Sequence, residues 1–486
     1  EVSLMLNTGK QVLMPVYPFA NIGKWYRDEG HKPDSNAAVW QYAIWLKRGV
    51  PATLAMPKIF EDNMVLQRGG RVPVWGSDMP GAVVSVRFGG KEKKGMADEK
   101  GNWRVELDPM EASEVGREME VVDGSGGRQV FRNILVGEVW LCGGQSNMEY
   151  SMRKNSKFEK AAHGAGPENE LEKADNPNIR IFLVRNNYSK PDTKNIRRAW
   201  DTAAGAPLRD FSAPGYFFAK ELYSKLHVPI GVISNAVPGS AIEPFLPDTG
   251  KFYMTMVKPL APFALKGFCW YQGETNCFMG DTAQYPEKMK RLIDSWRGLW
   301  GSRELPFYFV QIAPFFYSKT RGSVYLEPAF WGAQEKALAL PHTGMVVTSD
   351  LVDSLQDLHP AYKWEIGRRL ALWALAKDYG QPGVYSGPVY KNMIIKGHKI
   401  ELSFGEVGSG LVSHDGRALD WFEVAGVDGR FVQATAKIEG NDKVVVSAKG
   451  VDSPMVVRFG WNETAQPNLY NKEGLPAMPF RVNNER

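Results

Sequence analysis

Short apolar runs alternate with helix-like segments between residues 136 and 380, and this alternation constrains the fold more than any other feature. The runs are rich in Val, Ile, Phe and Trp, as in strands buried on both faces of a sheet. Strands are predicted at 136–142, 179–184, 230–234, 267–271, 307–312 and 345–349, and helices at 216–226, 286–299, 328–340 and 362–378. Such alternation predicts a doubly wound parallel sheet. The run at 179–184 lies near a charged insertion and could instead be one arm of a hairpin.

The segments on both sides of this region have a β pattern. Residues 56–135 contain short alternating runs punctuated by Gly and Pro, which predicts a β-sandwich domain. The same pattern returns after residue 380 and predicts a C-terminal β-domain over 381–486. The predicted α/β domain therefore covers 136–380. Residues 1–55 carry no interpretable pattern and are left unassigned.

Composition excludes several classes of protein. The net charge of +5 on 486 residues is too small and too dispersed to indicate a nucleic-acid partner. Three cysteines without a Cys-x-x-Cys spacing exclude a disulfide framework and a zinc knuckle. No apolar run reaches 18 residues, so no membrane insertion is expected. The oligomeric state is not indicated by the sequence.

Ser146 is the first candidate for chemistry. It follows the strand at 136–142 and the pair Gly143-Gly144, where the chain can turn tightly and other backbone can approach closely. The carboxyl edge of an α/β sheet is where such sheets bind ligands, and a helix that begins there offers free N–H groups to an oxyanion. A serine in this place can equally be a simple helix N-cap. Its function therefore depends on partners elsewhere in the chain.

Those partners are predicted at the same edge of the sheet. His359 lies between the last predicted strand and the final helix, and Asp357, two residues earlier, could orient its imidazole. Two further strands end in polar stretches that contain Gly239 and Gln272. A backbone N–H and a side-chain amide are both suitable donors for an oxyanion hole.

Three sequence blocks carry a resemblance to a known family. They are Gly-Gly-Gln-Ser-Asn-Met at 143–148, Trp-Tyr-Gln-Gly-Glu-Thr-Asn at 270–276 and Asp-Leu-His-Pro at 357–360. Together they resemble the sialate O-acetylesterases of the SGNH-hydrolase superfamily. Stretches at 56–67 and 471–477 resemble the two ends of that family, so the resemblance covers about 56–486. The serine context is not the Gly-x-Ser-x-Gly of α/β-hydrolases.

The resemblance implies both a fold and an activity. The implied fold is an SGNH hydrolase, a flavodoxin-like doubly wound parallel sheet, flanked by N-terminal and C-terminal β-domains. The implied activity is removal of O-acetyl groups from sialic acid or a related sugar through an acetyl-enzyme, without metal or cofactor. The family also implies a periplasmic or extracellular location, although this chain has no clear signal peptide.

Residue roles follow from the resemblance by position. Ser146 would be the nucleophile, His359 the base and Asp357 the acid. The candidate oxyanion and substrate-binding residues are Gly239, Gln272, Gln145, Glu274 and Asn276.

Several alternatives stay open. SGNH enzymes usually carry Asp-x-x-His, a spacing that would place Gln356 in the position of the acid, so Asp353 is an alternative acid. Asn276 could take the place of Gln272, because SGNH enzymes use an Asn in that block. An acetyl xylan esterase or another carbohydrate acetyl esterase would have the same fold, as would a homologue that only binds carbohydrate.

Overall fold

The computed structural model describes residues 2–5, 11–14, 53–162, 166–185, 199–247 and 250–483. They belong to two compact units. The first, here called the N-terminal unit, comprises 1–60, 71–108 and 117–132; the second, the main unit, comprises 61–70, 109–116 and 133–486. Most of the unassigned segment 1–55 lies outside the described residues.

The strands and helices of the described residues are as follows. The strands are β1 (Val2–Met5), β2 (Gln11–Met14), β3 (Val65–Gln67), β4 (Val72–Ser77), β5 (Val83–Phe88), β6 (Lys91–Met96), β7 (Asn102–Leu107), β8 (Ser113–Asp123), β9 (Arg128–Gly144), β10 (Ile179–Leu183), β11 (Trp200–Thr202), β12 (Ile230–Ser234), β13 (Gly267–Tyr271), β14 (Phe307–Val310), β15 (Thr343–Val346), β16 (Val389–Lys396), β17 (Lys399–Gly405), β18 (Leu411–Ser413), β19 (Phe422–Ala425), β20 (Phe431–Gln433), β21 (Thr435–Glu439), β22 (Lys443–Ser447), β23 (Val456–Phe459), β24 (Leu469–Asn471) and β25 (Phe480–Asn483). The α-helices are α1 (Ser146–Glu149), α2 (Glu170–Lys173), α3 (Gly205–Arg209), α4 (Ala213–Leu226), α5 (Glu274–Phe278), α6 (Tyr285–Leu299), α7 (Ser318–Arg321), α8 (Leu326–Glu335) and α9 (Lys363–Asp378). Short 3-10 helices lie at Met152–Lys157, Glu243–Phe245, Lys258–Leu260 and Lys336–Ala339, and a π-helix at Tyr253–Val257.

The N-terminal unit is built from antiparallel strands. β5 pairs with β6 and β8, and β4 pairs with β7. Apolar side chains such as Val84 and Val86 of β5 and Trp103 and Val105 of β7 are buried, and polar residues alternate with them along β7. This alternation is what strands with one face on a core require.

The main unit is organised around a sheet with the strand order β11-β10-β12-β9-β13-β14-β15. Every neighbouring pair is parallel except β10 and β11. The predicted α/β class with β regions on both sides is confirmed. The segment at 179–184, for which a hairpin arm was the alternative, is strand β10 of this sheet. Since β9 comes first in the chain and lies between β12 and β13, the strand order reverses there, which is where such sheets bind ligands.

Helices α4 and α9 pack closely against each other. A Cβ atom at Gly367 of α9 would lie 2.6 Å from the Phe217 Cβ and from the Phe218 nitrogen of α4, so only glycine permits this approach. The faces of the two helices that contain Phe218, Leu222 and Leu370 are fully buried. This contact fixes α9, and with it the loop that precedes α9, relative to the sheet.

Some predicted boundaries are wrong by a few residues. β14 and β15 end at Val310 and Val346, earlier than predicted, because the N–H of Thr348 donates to the Gln311 side chain (3.2 Å) instead of continuing the ladder. The helix predicted at 328–340 is α8 followed by a 3-10 turn, a common way for a helix to end.

The C-terminal strands form two four-stranded antiparallel sheets, β16-β17-β22-β21 and β20-β19-β23-β25. Alternate residues of both sheets, among them Leu402, Val444, Val424 and Phe459, share one buried apolar cluster. These strands belong to the same compact unit as the α/β sheet. The domain boundaries at 135, 380 and 55 stay predictions. Within the described residues, no helix is long and apolar enough to cross a bilayer.

Candidate active site

Ser146 lies directly beyond the carboxyl end of β9, as the first residue of α1. The turn depends on Gly144, which has φ +139°; a Cβ there would lie 2.1 Å from the Tyr271 carbonyl oxygen. The next residue, Gln145, donates its backbone N–H to that same oxygen at 2.9 Å. Two neighbouring strands can approach so closely only because residue 144 lacks a side chain. The half-buried Ser146 hydroxyl is thereby held at the sheet edge.

His359 is in hydrogen-bond contact with Ser146. Its Nε2 atom lies 2.8 Å from the Ser146 Oγ, although the two residues are 213 positions apart. Burial lowers the pKa of His359, and the positive charge of Lys363 lowers it further, while Asp357 acts in the opposite direction. A lowered pKa keeps the imidazole neutral, and only a neutral imidazole can accept the serine proton.

Asp357 does not make the predicted contact with the imidazole. Its Oδ1 accepts the backbone N–H of His359 at 2.9 Å, and the hydrogen bonds of the described residues include none at the Nδ1 of His359. The i, i+2 spacing explains this, because an aspartate readily bonds the backbone two residues on. The alternative acid, Asp353, is exposed and accepts bonds from Tyr362 and from the Ala162 N–H (3.1 Å). The identity of the acid stays a prediction.

Gln272 is fully buried, and its amide hydrogens are already used. Its Nε2 atom lies 2.8 Å from the Asn276 Oδ1, 3.1 Å from the Gln145 Oε1 and 3.2 Å from the Ser240 carbonyl oxygen. Its Oε1 atom accepts the Tyr285 hydroxyl at 2.9 Å. An amide nitrogen carries two hydrogens, so none remains for an oxyanion. The structure therefore does not support Gln272 as an oxyanion donor.

The amide nitrogen of Asn276 and the amide oxygen of Gln145 are engaged as well. The Asn276 Nδ2 donates to Asp281 at 3.0 Å and lies 3.3 Å from a Glu243 oxygen. The Gln145 Oε1 accepts the backbone N–H groups of Gly273 (3.3 Å) and Thr275 (3.4 Å). These two side chains and Gln272 tie together the segments that follow β9, β12 and β13.

Two backbone groups are the better candidates for an oxyanion hole. The N–H of Ser146 belongs to the first residue of a helix and so has no partner within that helix. Gly239 is exposed in the turn after β12 with φ +71°, and apart from its chain neighbours no described residue has an atom within 4 Å of the position its Cβ would take. A ligand can therefore approach the backbone of Gly239 closely.

Three buried side chains lie next to the loop that contains His359. One is Glu274, and the other two, Asn147 and Lys363, were not singled out by the sequence analysis. Glu274 is fully buried, and burial raises its pKa. It accepts a hydrogen bond from the Asn147 Nδ2 (2.5 Å), so it is part of the packed interior rather than of a substrate surface. The second missed residue, Lys363, is 1% exposed at the start of α9. A positive charge in the first turn of a helix is unfavourable because that end of the helix dipole is also positive. A lysine at the start of a predicted helix is therefore a sequence signal that could have drawn attention to Lys363.

Comparison with known proteins relates this site to carbohydrate esterases. The family model described as carbohydrate esterase, sialic acid-specific acetylesterase, matches residues 136–375. A sialate O-acetylesterase of Pongo abelii is 26% identical over 514 residues, which cover 90% of this chain and 94% of that protein. A human sialate O-acetylesterase is 26% identical over 422 residues, which cover 73% of this chain and 77% of that protein.

One solved structure is similar over nearly the whole chain. It is a carbohydrate acetylesterase from Xanthomonas citri with 36% sequence identity and a TM-score of 0.79, and the match covers 89% of this chain and 100% of that one. The resemblance seen in the three sequence blocks is thus confirmed.

Proposed function

This chain belongs to the family of sialic acid-specific acetylesterases among the carbohydrate esterases, and from that premise we propose that it removes O-acetyl groups from a sugar with Ser146 as nucleophile. The single observation that carries the proposed mechanism is the 2.8 Å contact between the Ser146 Oγ and the His359 Nε2. A serine within hydrogen-bond reach of a neutral imidazole is the arrangement that nucleophilic catalysis requires.

The proposed reaction has two halves. Ser146 attacks the acetyl carbonyl carbon while the His359 Nε2 takes its proton, and the N–H groups of Ser146 and Gly239 hold the oxyanion. The tetrahedral intermediate then breaks its bond to the sugar oxygen, which takes the proton from His359. In the second half, His359 removes a proton from water, water attacks the acetyl-enzyme, and acetate leaves as Ser146 regains its proton.

Replacement of the serine tests the proposal. Ser146→Ala should lower the rate of acetate release by several orders of magnitude with the melting temperature unchanged, because a triad residue supplies a factor of this size. Ser224→Ala is the matched control, since Ser224 is exposed on α4 and its hydroxyl donates to the Glu221 carbonyl oxygen (2.8 Å) of the same helix. A folded Ser146→Ala protein that turns over at the normal rate would rule out the proposed nucleophile.

The identity of the sugar is tested separately. O-acetylated sialic acids are the first candidate substrates. Other acetylated carbohydrates, with acetyl xylan as the example to assay, are the second, because the similar Xanthomonas citri protein is described more broadly as a carbohydrate acetylesterase. Acetate release from both classes, compared as kcat/KM, distinguishes them. Labelling by a serine-reactive phosphonate would exclude a homologue that only binds sugar. A periplasmic or extracellular location, which the resemblance implies, is tested by cell fractionation.

A further inference from the structure

The two backbone carbonyls on either side of His359 are both held by buried side chains. The Asn147 Nδ2 donates to the Leu358 carbonyl oxygen at 3.0 Å, and the Lys363 Nζ donates to the Pro360 carbonyl oxygen at 2.5 Å. Asn147 is 0% and Lys363 1% exposed. The loop that carries the proposed base is therefore fixed at the residue before it and at the residue after it.

Asn147 is well suited to this task because it immediately follows Ser146 in the chain. Its second amide hydrogen points to the Glu274 Oε1 at 2.5 Å, so that both hydrogens are used and the side chain has one orientation. The same short segment thus carries the nucleophile and a tether to the base. A displacement of the His359 loop relative to Ser146 would break the bond between Asn147 and Leu358.

Lys363 is an unfavourable residue for this position unless its ammonium group has a function. Burial lowers the pKa of Lys363 to about 7, while Glu274 and Asp357 act in the opposite direction. Its Nζ atom lies 4.9 Å from the centre of the Tyr150 ring and 5.7 Å from that of Tyr271. Burying a charged group usually costs stability, and an apolar side chain would fill the same space without that cost.

Asn147 and Glu274, which are bonded to each other next to Lys363, are also unfavourable for stability. Among the described residues, no hydrogen bond reaches the Asn147 Oδ1 or the Glu274 Oε2, and both atoms are buried. A buried acceptor without a donor destabilises the folded state. Stability alone therefore does not explain why three polar side chains lie beneath one catalytic loop.

We propose that Asn147 and Lys363 are positioning residues that clamp the two carbonyls flanking His359 and so keep its Nε2 in line with Ser146. The inference rests on the proposed roles of Ser146 and His359. It explains how the imidazole can be aligned although, within the described residues, no carboxylate bonds its Nδ1. The imidazole is aligned by hydrogen bonds to the backbone of its loop instead of by a hydrogen bond to its own Nδ1.

Two variants remove the clamp with little change in volume. Asn147→Leu removes both donors, and Lys363→Met keeps most of the stem without the ammonium group. Lys377→Met is the matched control, because Lys377 is exposed at the other end of α9 and its ammonium group contacts Tyr385, through the hydroxyl (2.7 Å) and the ring face. Rates are expressed per active site, counted by phosphonate titration, so that a partly folded preparation does not distort them.

Each clamp variant should lower kcat about 10–10²-fold with KM nearly unchanged, since a misplaced catalytic group costs a factor of this size. The double variant should lose little more kcat than the worse single variant, because both substitutions act on one loop.

The pH profile distinguishes Lys363→Met from Asn147→Leu. Lys363 is charged below pH 7 and lowers the pKa of His359, so Lys363→Met should move the acid limb of kcat/KM to higher pH. Asn147→Leu should leave that limb in place.

The outcomes separate this inference from the function on which it rests. If Ser146→Ala is inactive but both clamp variants keep the kcat of Lys377→Met, the clamp is wrong and the esterase mechanism stands. A raised KM with unchanged kcat would show that these residues bind substrate, which also overturns the clamp. If Ser146→Ala keeps normal activity, the proposed mechanism itself fails, whatever the clamp variants do.

Discussion

Replacement of Gln272 by alanine should destabilise the protein and have only a small direct effect on catalysis. The Gln272 amide makes at most two full bonds through Nε2 and one through Oε1, all within the interior. At about 0.5–1.5 kcal/mol each, the loss of these three bonds lowers the free energy of unfolding by about 1.5–4.5 kcal/mol. Most of the former partners keep other donors, for example the N–H of Ile242 on Asn276 (3.0 Å), so the loss stays in this range.

Urea unfolding of Gln272→Ala, followed by fluorescence, measures this free energy directly. Steady-state kinetics on the folded variant, per titrated active site, measure the catalytic effect, which should be under about tenfold. A variant with normal unfolding free energy and a kcat lowered about 10²–10³-fold would contradict a purely structural role for Gln272. That pattern is the signature of a lost oxyanion donor, the role that the sequence suggested.

Three further predictions follow from the site. Since burial and Lys363 lower the pKa of His359, the acid limb of kcat/KM should have its midpoint below 6.5, the ordinary histidine value; a midpoint at or above 6.5 contradicts this. Asp357→Asn should lower kcat by much less than the ~10⁴-fold seen when a carboxylate bonded to the imidazole is lost, and a loss near 10⁴-fold would indicate that Asp357 turns to the ring during turnover. Gly144→Ala should lose about 2 kcal/mol of stability or more and most activity, because its Cβ would lie 2.1 Å from the Tyr271 carbonyl oxygen. Gly298→Ala in α6, where the Cβ would meet no atom of the other described segments within 4 Å, should instead be stabilising when both are compared by thermal unfolding.

The fold was predictable because its pattern is local. Runs of five or so apolar residues separated by helical spacing specify a parallel sheet whatever the details of packing. The convergence of Ser146 and His359 followed from that sheet, because both come after strands and the carboxyl ends of parallel strands share one edge. The structure places their reacting atoms 2.8 Å apart.

The hydrogen-bond state of the site was not predictable in the same way. Whether the Gln272 amide is free depends on Gln145, 127 positions away, and on the Ser240 carbonyl oxygen, 32 positions away. No local pattern contains such pairings. The spacing of Asp357 and His359 allowed either an imidazole contact or a bond to the backbone, and the short loop favours the backbone. The burial of Lys363 depends on Tyr150 and Tyr271, which come from two other segments.

Chemical identification of the covalent intermediate tests the proposed role of Ser146 most directly. The enzyme is mixed with an O-acetylated sugar, quenched in acid during turnover, digested and examined by mass spectrometry. The proposed mechanism requires one added acetyl group on Ser146, absent from Ser146→Ala and present in the Ser224→Ala control. An acetyl group on a different residue, or full turnover with no acetylated peptide at any quench time, would contradict it.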